Sequence, residues 1–246
     1  FVGDLDSIPE DILLRAKMLI LSYPHNPTGA LVDKKYLEKA VALCKEYEIL
    51  LVNDLAYSEI WFDGNKPNSI FEIEGAMDIG IEFHTFSKTY NMAGMRLGFA
   101  IGNPDIIHTL YKLKTNIDYG VCMGIQEAGA AAIALGDSYR EEIRLEYQRR
   151  RDYVVPRLKE MGLKPHNPGG AMYVWIPVPE SFIGEDKDSF DFARDLLAAT
   201  GVALVPGLTF GPHGKNYVRL ALVQPIDKLK IAMEKLEAFV KKKVVV

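Results

Sequence analysis

The stretch His84-Thr85-Phe86-Ser87-Lys88-Thr89-Tyr90-Asn91, with Arg96 shortly after it, concentrates the chemistry of this chain. A short run, Ile81 to Phe86, predicts a strand that delivers two hydroxyls, Thr85 and Ser87, and then a single lysine into a polar turn. A lysine at a strand end, near hydroxyls and an arginine, suits an imine-forming amine beside a bound phosphate. Read alone, the same residues also describe a surface loop with an ordinary lysine. The elements around them have to decide.

Those elements alternate. Met18 to Tyr23 is a continuous apolar run that predicts a strand buried on both faces, and it ends in the turn Pro24-His25-Asn26-Pro27-Thr28-Gly29. Asp33 offers a cap to a helix over 34–47, with Leu37, Val41 and Cys44 on its apolar face. Ile49 to Val52, ending at Asn53-Asp54, predicts a second strand; Ile79 to Phe86 a third; Leu97 to Ile101 a fourth. Strands alternating with helical stretches indicate an α/β domain with a largely parallel sheet, whose ligands sit outside the carboxyl ends of the strands. Asn26, Asp54 and Lys88 all fall at or just after such ends. Three polar groups arriving independently at one edge outweigh any one of them.

From Pro104 the pattern is helical, over 104–114 and 121–135, followed by a long charged helix over roughly 138–161 in which Pro156 should introduce a kink or a break. Beyond Gly162, short strands at Met172 to Ile176, Val202 to Val205 and Tyr217 to Leu222 accompany helices over 188–199 and 226–242. The predicted division is residues 1–137 as the second half of a large domain, 138–162 as an interdomain helix and 163–246 as a smaller α+β domain.

A 48% hydrophobic chain of 246 residues can bury a substantial core. Its net charge of −4 gives no reason to expect nucleic acid or an anionic membrane surface. The basic runs Arg149-Arg150-Arg151 and Lys241-Lys242-Lys243 read as solvated helix faces. Cys44 and Cys122, in apolar helical contexts, lack metal-ligand spacing, which fits a reducing, cytoplasmic setting. No apolar stretch reaches membrane-spanning length, and no metal site is predicted.

Taken together, Asn26-Pro27-Thr28-Gly29, Asp54-Leu55-Ala56-Tyr57, Ser87-Lys88 with Arg96, and the late Arg219 resemble the fold-type I pyridoxal-phosphate aminotransferases of class I/II. The resemblance runs along the whole chain. The stretches DLAYSEIWFDG and FSKTYNMAGMRLGFAIGN are most similar to the alanine and LL-diaminopimelate branch. It implies a mainly parallel sheet from the carboxyl-terminal half of the large domain, a smaller α+β domain and pyridoxal 5'-phosphate as cofactor. It also implies ping-pong transfer of an amino group between an L-amino acid and a 2-oxo acid, by a homodimer.

Within that resemblance Lys88 would bind the cofactor covalently and then act as general base. Asp54 would pair with the pyridine nitrogen and keep it protonated; its alternative is a helix cap. Tyr57, set to share a face of a helical turn with Asp54, would bind the cofactor's phenolic oxygen together with Asn26. Read singly, Tyr57 is a packed aromatic and Asn26 a turn residue. Arg96, Thr85 and Ser87 would hold the phosphate, with Gly94 and Gly98 admitting close backbone approach. Arg219, an arginine inside an apolar strand, needs an anion, and would clamp the substrate carboxylate beside Asn26 rather than form a structural ion pair. Asn116 matches a segment that lies near the dimer interface in relatives.

Relatives carry a preceding segment of well over a hundred residues, with a glycine-rich helix start for the phosphate and an aromatic that stacks on the ring. The expectation is therefore a longer native chain, and a 1–246 fragment that is a poor catalyst. Two rival outcomes are a C–S lyase on the same scaffold and a non-enzymatic module.

Overall fold

The computed structural model describes residues 1–184 and 187–244. By internal contacts they form two compact units, one gathering Phe1–His25 and Ala30–Arg144, the other Asn26–Gly29 and the chain from Leu145 onward.

The first unit is built on a four-stranded sheet in the order β1 (Met18–Leu21), β2 (Leu50–Asp54), β3 (Gly80–Thr85), β4 (Gly98–Gly102). β1, β2 and β3 are parallel and β4 is antiparallel to β3. A short helix α1 (Glu10–Leu13) precedes β1, and α2 (Lys34–Glu46) links β1 to β2. The Asp33 carboxylate accepts the Tyr36 amide at 2.9 Å, so α2 starts where the sequence predicts. Leu37, Val41 and Cys44 on α2 are buried in one core cluster with Leu21, Leu51 and Ile70. Each such side chain contributes about 1.5–3 kcal/mol by leaving water. The short α3 (Ala76–Ile79) leads into β3, and α4 (Phe86–Thr89) follows it.

β1 departs from expectation. It is not buried on both faces: Met18 and Ile20 are exposed while Leu21 is buried. Among the described residues β1 lies at the edge of the sheet, and α2 covers only one side of it.

After β4 come α5 (Pro104–Lys114), capped by Asn103, and α6 (Met123–Ala134). α6 packs closely on Leu97; a Cβ at Gly129 would lie 2.5 Å from the Leu97 Cδ2. Cys44 is buried within α2, which pushes its thiol up to about 11, whereas Cys122 is exposed just ahead of α6.

α7 runs unbroken from Gly136 to Glu160, so Pro156 does not divide it. Val154, Val155 and Leu158 are buried around the proline, and that packing outweighs one lost backbone hydrogen bond. The Arg149–Arg151 run is not a uniform solvated face either. Arg149 is exposed beside Glu146, but Arg151 is 5% exposed and pairs with Asp152, because consecutive helical residues point about 100° apart. In the other run Lys241 is exposed and bonds Glu237, while the side chains of Lys242 and Lys243 lie outside the described residues.

The second unit holds a three-stranded antiparallel sheet, ordered β5 (Tyr173–Pro177), β7 (Tyr217–Ala221), β6 (Val205–Pro206), with α8 (Ser189–Thr200) and α9 (Ile226–Val244). Phe182, Phe192 and Phe239 pack ring against ring in its core. The predicted strand at 202–205 shrinks to Val205–Pro206, the two residues that pair with Arg219 and Val218 of β7.

Candidate active site

In the first unit the candidate groups gather at the ends of two paired strands. Asp54 is the last residue of β2 and lies opposite Phe83 of β3. It is solvent-exposed and caps no helix. The residues after it form a turn rather than a helix, with Ser58 N bonded to Leu55 O, and Tyr57 is buried in that turn at 7% exposure. Tyr57 therefore does not share a helical face with Asp54.

β3 ends at Thr85, whose hydroxyl accepts the Ser87 amide at 3.1 Å and donates to Leu97 O at 3.3 Å. Thr85 is thus the amino-terminal cap of α4. The cap fixes the single turn on which Ser87 and half-buried Lys88 stand. Arg96 is exposed and holds a left-handed backbone, φ 53°, and its Nη1 donates to Ala93 O at 2.9 Å. A left-handed arginine costs about 1–2 kcal/mol, the kind of strain that collects at functional turns.

Gly94 and Gly98 have different surroundings. Nothing lies within 4 Å of a Cβ built on Gly94. A Cβ on Gly98 would sit 2.6 Å from His84 O, so Gly98 serves the β3–β4 pairing. Asn116, just past α5, donates to Lys112 O at 2.7 Å.

The second unit carries Asn26 and Arg219. Asn26–Gly29 follows β1 in sequence but packs in this unit, where Gly29 O accepts the Gly169 and Gly170 amides. The Asn26 side-chain oxygen accepts Arg219 Nη1 at 2.7 Å. The Arg219 guanidinium lies 4.2 Å from the Tyr173 ring centre and 4.8 Å from that of Phe210. Its buried Nε has no hydrogen-bond partner among the described residues. No acidic residue in the described chain pairs with it, so a half-buried cation stands ready for an external anion.

Sequence reasoning missed two features. One is the pair of aromatic rings on Arg219. The other is a buried carboxylate on β3, Glu82, bonded to Asn53 at 2.8 Å and 2.8 Å from His84. A charged residue inside the strand Ile81-Glu82-Phe83 was the available signal. Among the described residues no three-residue metal-binding cluster occurs, and no helix is long and apolar enough to cross a membrane.

Residues 2–236 match the model of the family described as aminotransferase class I and II. Curated relatives include LL-diaminopimelate aminotransferase 2 of Nostoc sp., 44% identical over 96% of this chain, and LL-diaminopimelate aminotransferase of Natranaerobius thermophilus, 42% identical over 96%. The chain spans 60% of the length of each. Among solved structures, substrate-bound BacF of Bacillus subtilis superposes with a TM-score of 0.91 at 36% identity, covering 97% of this chain and 60% of that one. A probable N-succinyldiaminopimelate aminotransferase of Thermus thermophilus gives 0.89 at 34% identity, covering 96% and 62%.

Proposed function

We infer the reaction from one premise: the chain belongs to the aminotransferase class I and II family, whose model it matches over residues 2–236. We propose that the protein moves an amino group between an L-amino acid and a 2-oxo acid, with pyridoxal 5'-phosphate as cofactor. The observation that carries this is Lys88 in the turn after β3, beside the β2 strand that ends in Asp54.

The donor set fits the cofactor: an amine, a carboxylate and a guanidinium grouped around the ends of β2–β3 and the turn beyond. When bound, pyridoxal phosphate supplies an aldehyde that takes the amino group and a ring that accepts the electron pair released at Cα. Lys88 would attach the cofactor and, once free, take the proton from the substrate Cα and deliver it to the cofactor's C4′ carbon, on the far side of the nitrogen. Asp54 would hold a proton on the pyridine nitrogen. Tyr57 and Asn26 would bind the phenolic oxygen, and Arg96 with Ser87 and Thr85 the phosphate. The Thr85 hydroxyl already accepts the Ser87 amide, so it would have to serve the phosphate as well as the cap.

Arg219 would take the substrate α-carboxylate. Its rings keep the guanidinium plane fixed, and Asn26 engages only one of its nitrogens. The names of the relatives favour LL-diaminopimelate among the alanine, aspartate, glutamate and LL-diaminopimelate class, with 2-oxoglutarate as acceptor. The reading includes a homodimer and a cytoplasmic setting, the latter supported by two free cysteines.

The test is borohydride reduction of full-length protein loaded with pyridoxal phosphate, then peptide mapping and an assay of glutamate formation from LL-diaminopimelate and 2-oxoglutarate. Label on Lys88 and acceptor-dependent turnover are expected. Label elsewhere, or release of pyruvate and ammonia without an acceptor, overturns the reading.

A further inference from the structure

Glu82 is 1% exposed, in the middle of β3. A carboxylate so deeply buried is costly unless it is fully hydrogen-bonded. Here it is. Oε2 accepts Asn53 Nδ2 at 2.8 Å and the Ile70 amide at 3.1 Å. The Ser69 hydroxyl lies 3.1 Å from both oxygens, and His84 Nε2 lies 2.8 Å from Oε1. Burial by itself would push the acid up, but the bonds from His84, Asn53 and Ile70 outweigh it and hold the group below its ordinary value.

The partners are placed with consequence. Asn53 pairs with Glu82 in register and is the residue before Asp54. Since side chains alternate along a strand, fixing Asn53 on one face fixes the direction in which Asp54 leaves the other. Ser69 and Ile70 close the excursion that begins after β2 and contains Tyr57. His84 is on β3 itself, one residue before the Thr85 cap of the Lys88 turn, and its ring stacks on Phe99 of β4 at 4.8 Å. No other described carboxylate joins all three segments.

We propose that Glu82 is a positioning residue: its buried carboxylate gathers the three segments that carry Asp54, Tyr57 and Lys88 and fixes where each leaves the sheet. This rests on the roles assigned to those residues above. Glu82 touches neither substrate nor cofactor, so its loss should change turnover and the electronic state of the bound cofactor more than substrate capture.

The experiment uses full-length protein loaded with pyridoxal phosphate. Glu82→Leu leaves the Asn53 and Ile70 donors without an acceptor. Its kcat should fall about 100-fold, the cost of a misplacement near 1 Å, with KM for the amino donor changed by less than about threefold. The pH midpoint of the bound cofactor's visible absorbance should shift by more than about 0.5 unit. Glu82→Gln can keep its oxygen toward Asn53 and Ile70 and turn its amide to the His84 ring, which then accepts; kcat should recover to within about fivefold of wild type. Wild-type kcat and midpoint in Glu82→Leu overturn the proposal, as does a Gln variant no better than Leu. If Glu82→Leu does not fold, Ser69→Ala removes one tie alone, and the proposal requires about a threefold loss of kcat with a shifted midpoint; no change in either overturns it. Borohydride mapping of wild-type protein runs alongside. Label away from Lys88 refutes the parent reading and this proposal with it, whereas label on Lys88 with silent Glu82 and Ser69 variants refutes only the positioning role.

Discussion

The ends of β2 and β3 and the Arg219 cluster solve opposite problems. Asp54 and Lys88 form no side-chain hydrogen bond or ion pair with any described residue. Arg219 is engaged by Asn26 and by two aromatic rings. An amine that must bind, release and carry a proton cannot be committed to an internal partner. An arginine that only has to hold a carboxylate gains from being fixed in advance, because less freedom is lost on binding. Under the proposed roles, rigidity at the sheet edge comes from behind Asp54 and Lys88, through Glu82 and the Thr85 cap, and not from contacts to them.

This contrast can be broken in steps. The largest effect belongs to Lys88→Ala, expected to lower turnover of the full-length enzyme on the order of 10⁴-fold and to abolish borohydride labelling. Appreciable residual turnover would move the reactive amine elsewhere. Asp54→Ala should cost on the order of 10²- to 10³-fold in kcat while pyridoxal phosphate still binds, as followed by its absorbance. If the variant instead loses the cofactor with kcat per loaded site intact, Asp54 is an anchor and not an electronic partner. Arg219→Lys keeps the charge but loses the planar fork, so KM for the amino donor should rise about 10- to 100-fold with cofactor affinity unchanged. A fall in cofactor affinity would place Arg219 on the wrong side of the comparison. The smallest effect is Pro156→Ala. It restores a helical donor in α7 and should stabilise the protein by about 1–3 kcal/mol in denaturant unfolding, with kcat unaltered. A change in kcat would tie that helix to the chemistry.

Most of the sheet edge was legible because its signals are local. The Asp33 cap, the apolar runs before Asp54 and Lys88, and the helix start at Pro104 all act within a few residues. Errors came where a partner is distant. Met18 and Ile20 are exposed because no described element packs on their face of β1, which a run such as MLIL does not reveal. The break at Pro156, one of the two outcomes expected there, does not occur because Val154 and Leu158 pack around it, which propensity alone does not show. Arg219 was found by asking what a charge does inside an apolar strand. The same question put to Glu82 would have found the buried network, though not its partners, which come from β2 and from the turn at Ser69.

Asn26 and Arg219 lie 193 residues apart in the chain, yet share one hydrogen bond. Every residue assigned to the first unit has been made once Arg144 is synthesised. Arg219 comes 75 residues later. At about 5–20 residues per second that interval is roughly 4–15 s. Through it the Asn26–Gly29 turn lacks the segment it finally packs in. Of the candidate residues Arg219 is therefore the last to leave the ribosome, and a nascent chain paused before it would carry Asn26 and Lys88 without the arginine proposed to receive a carboxylate.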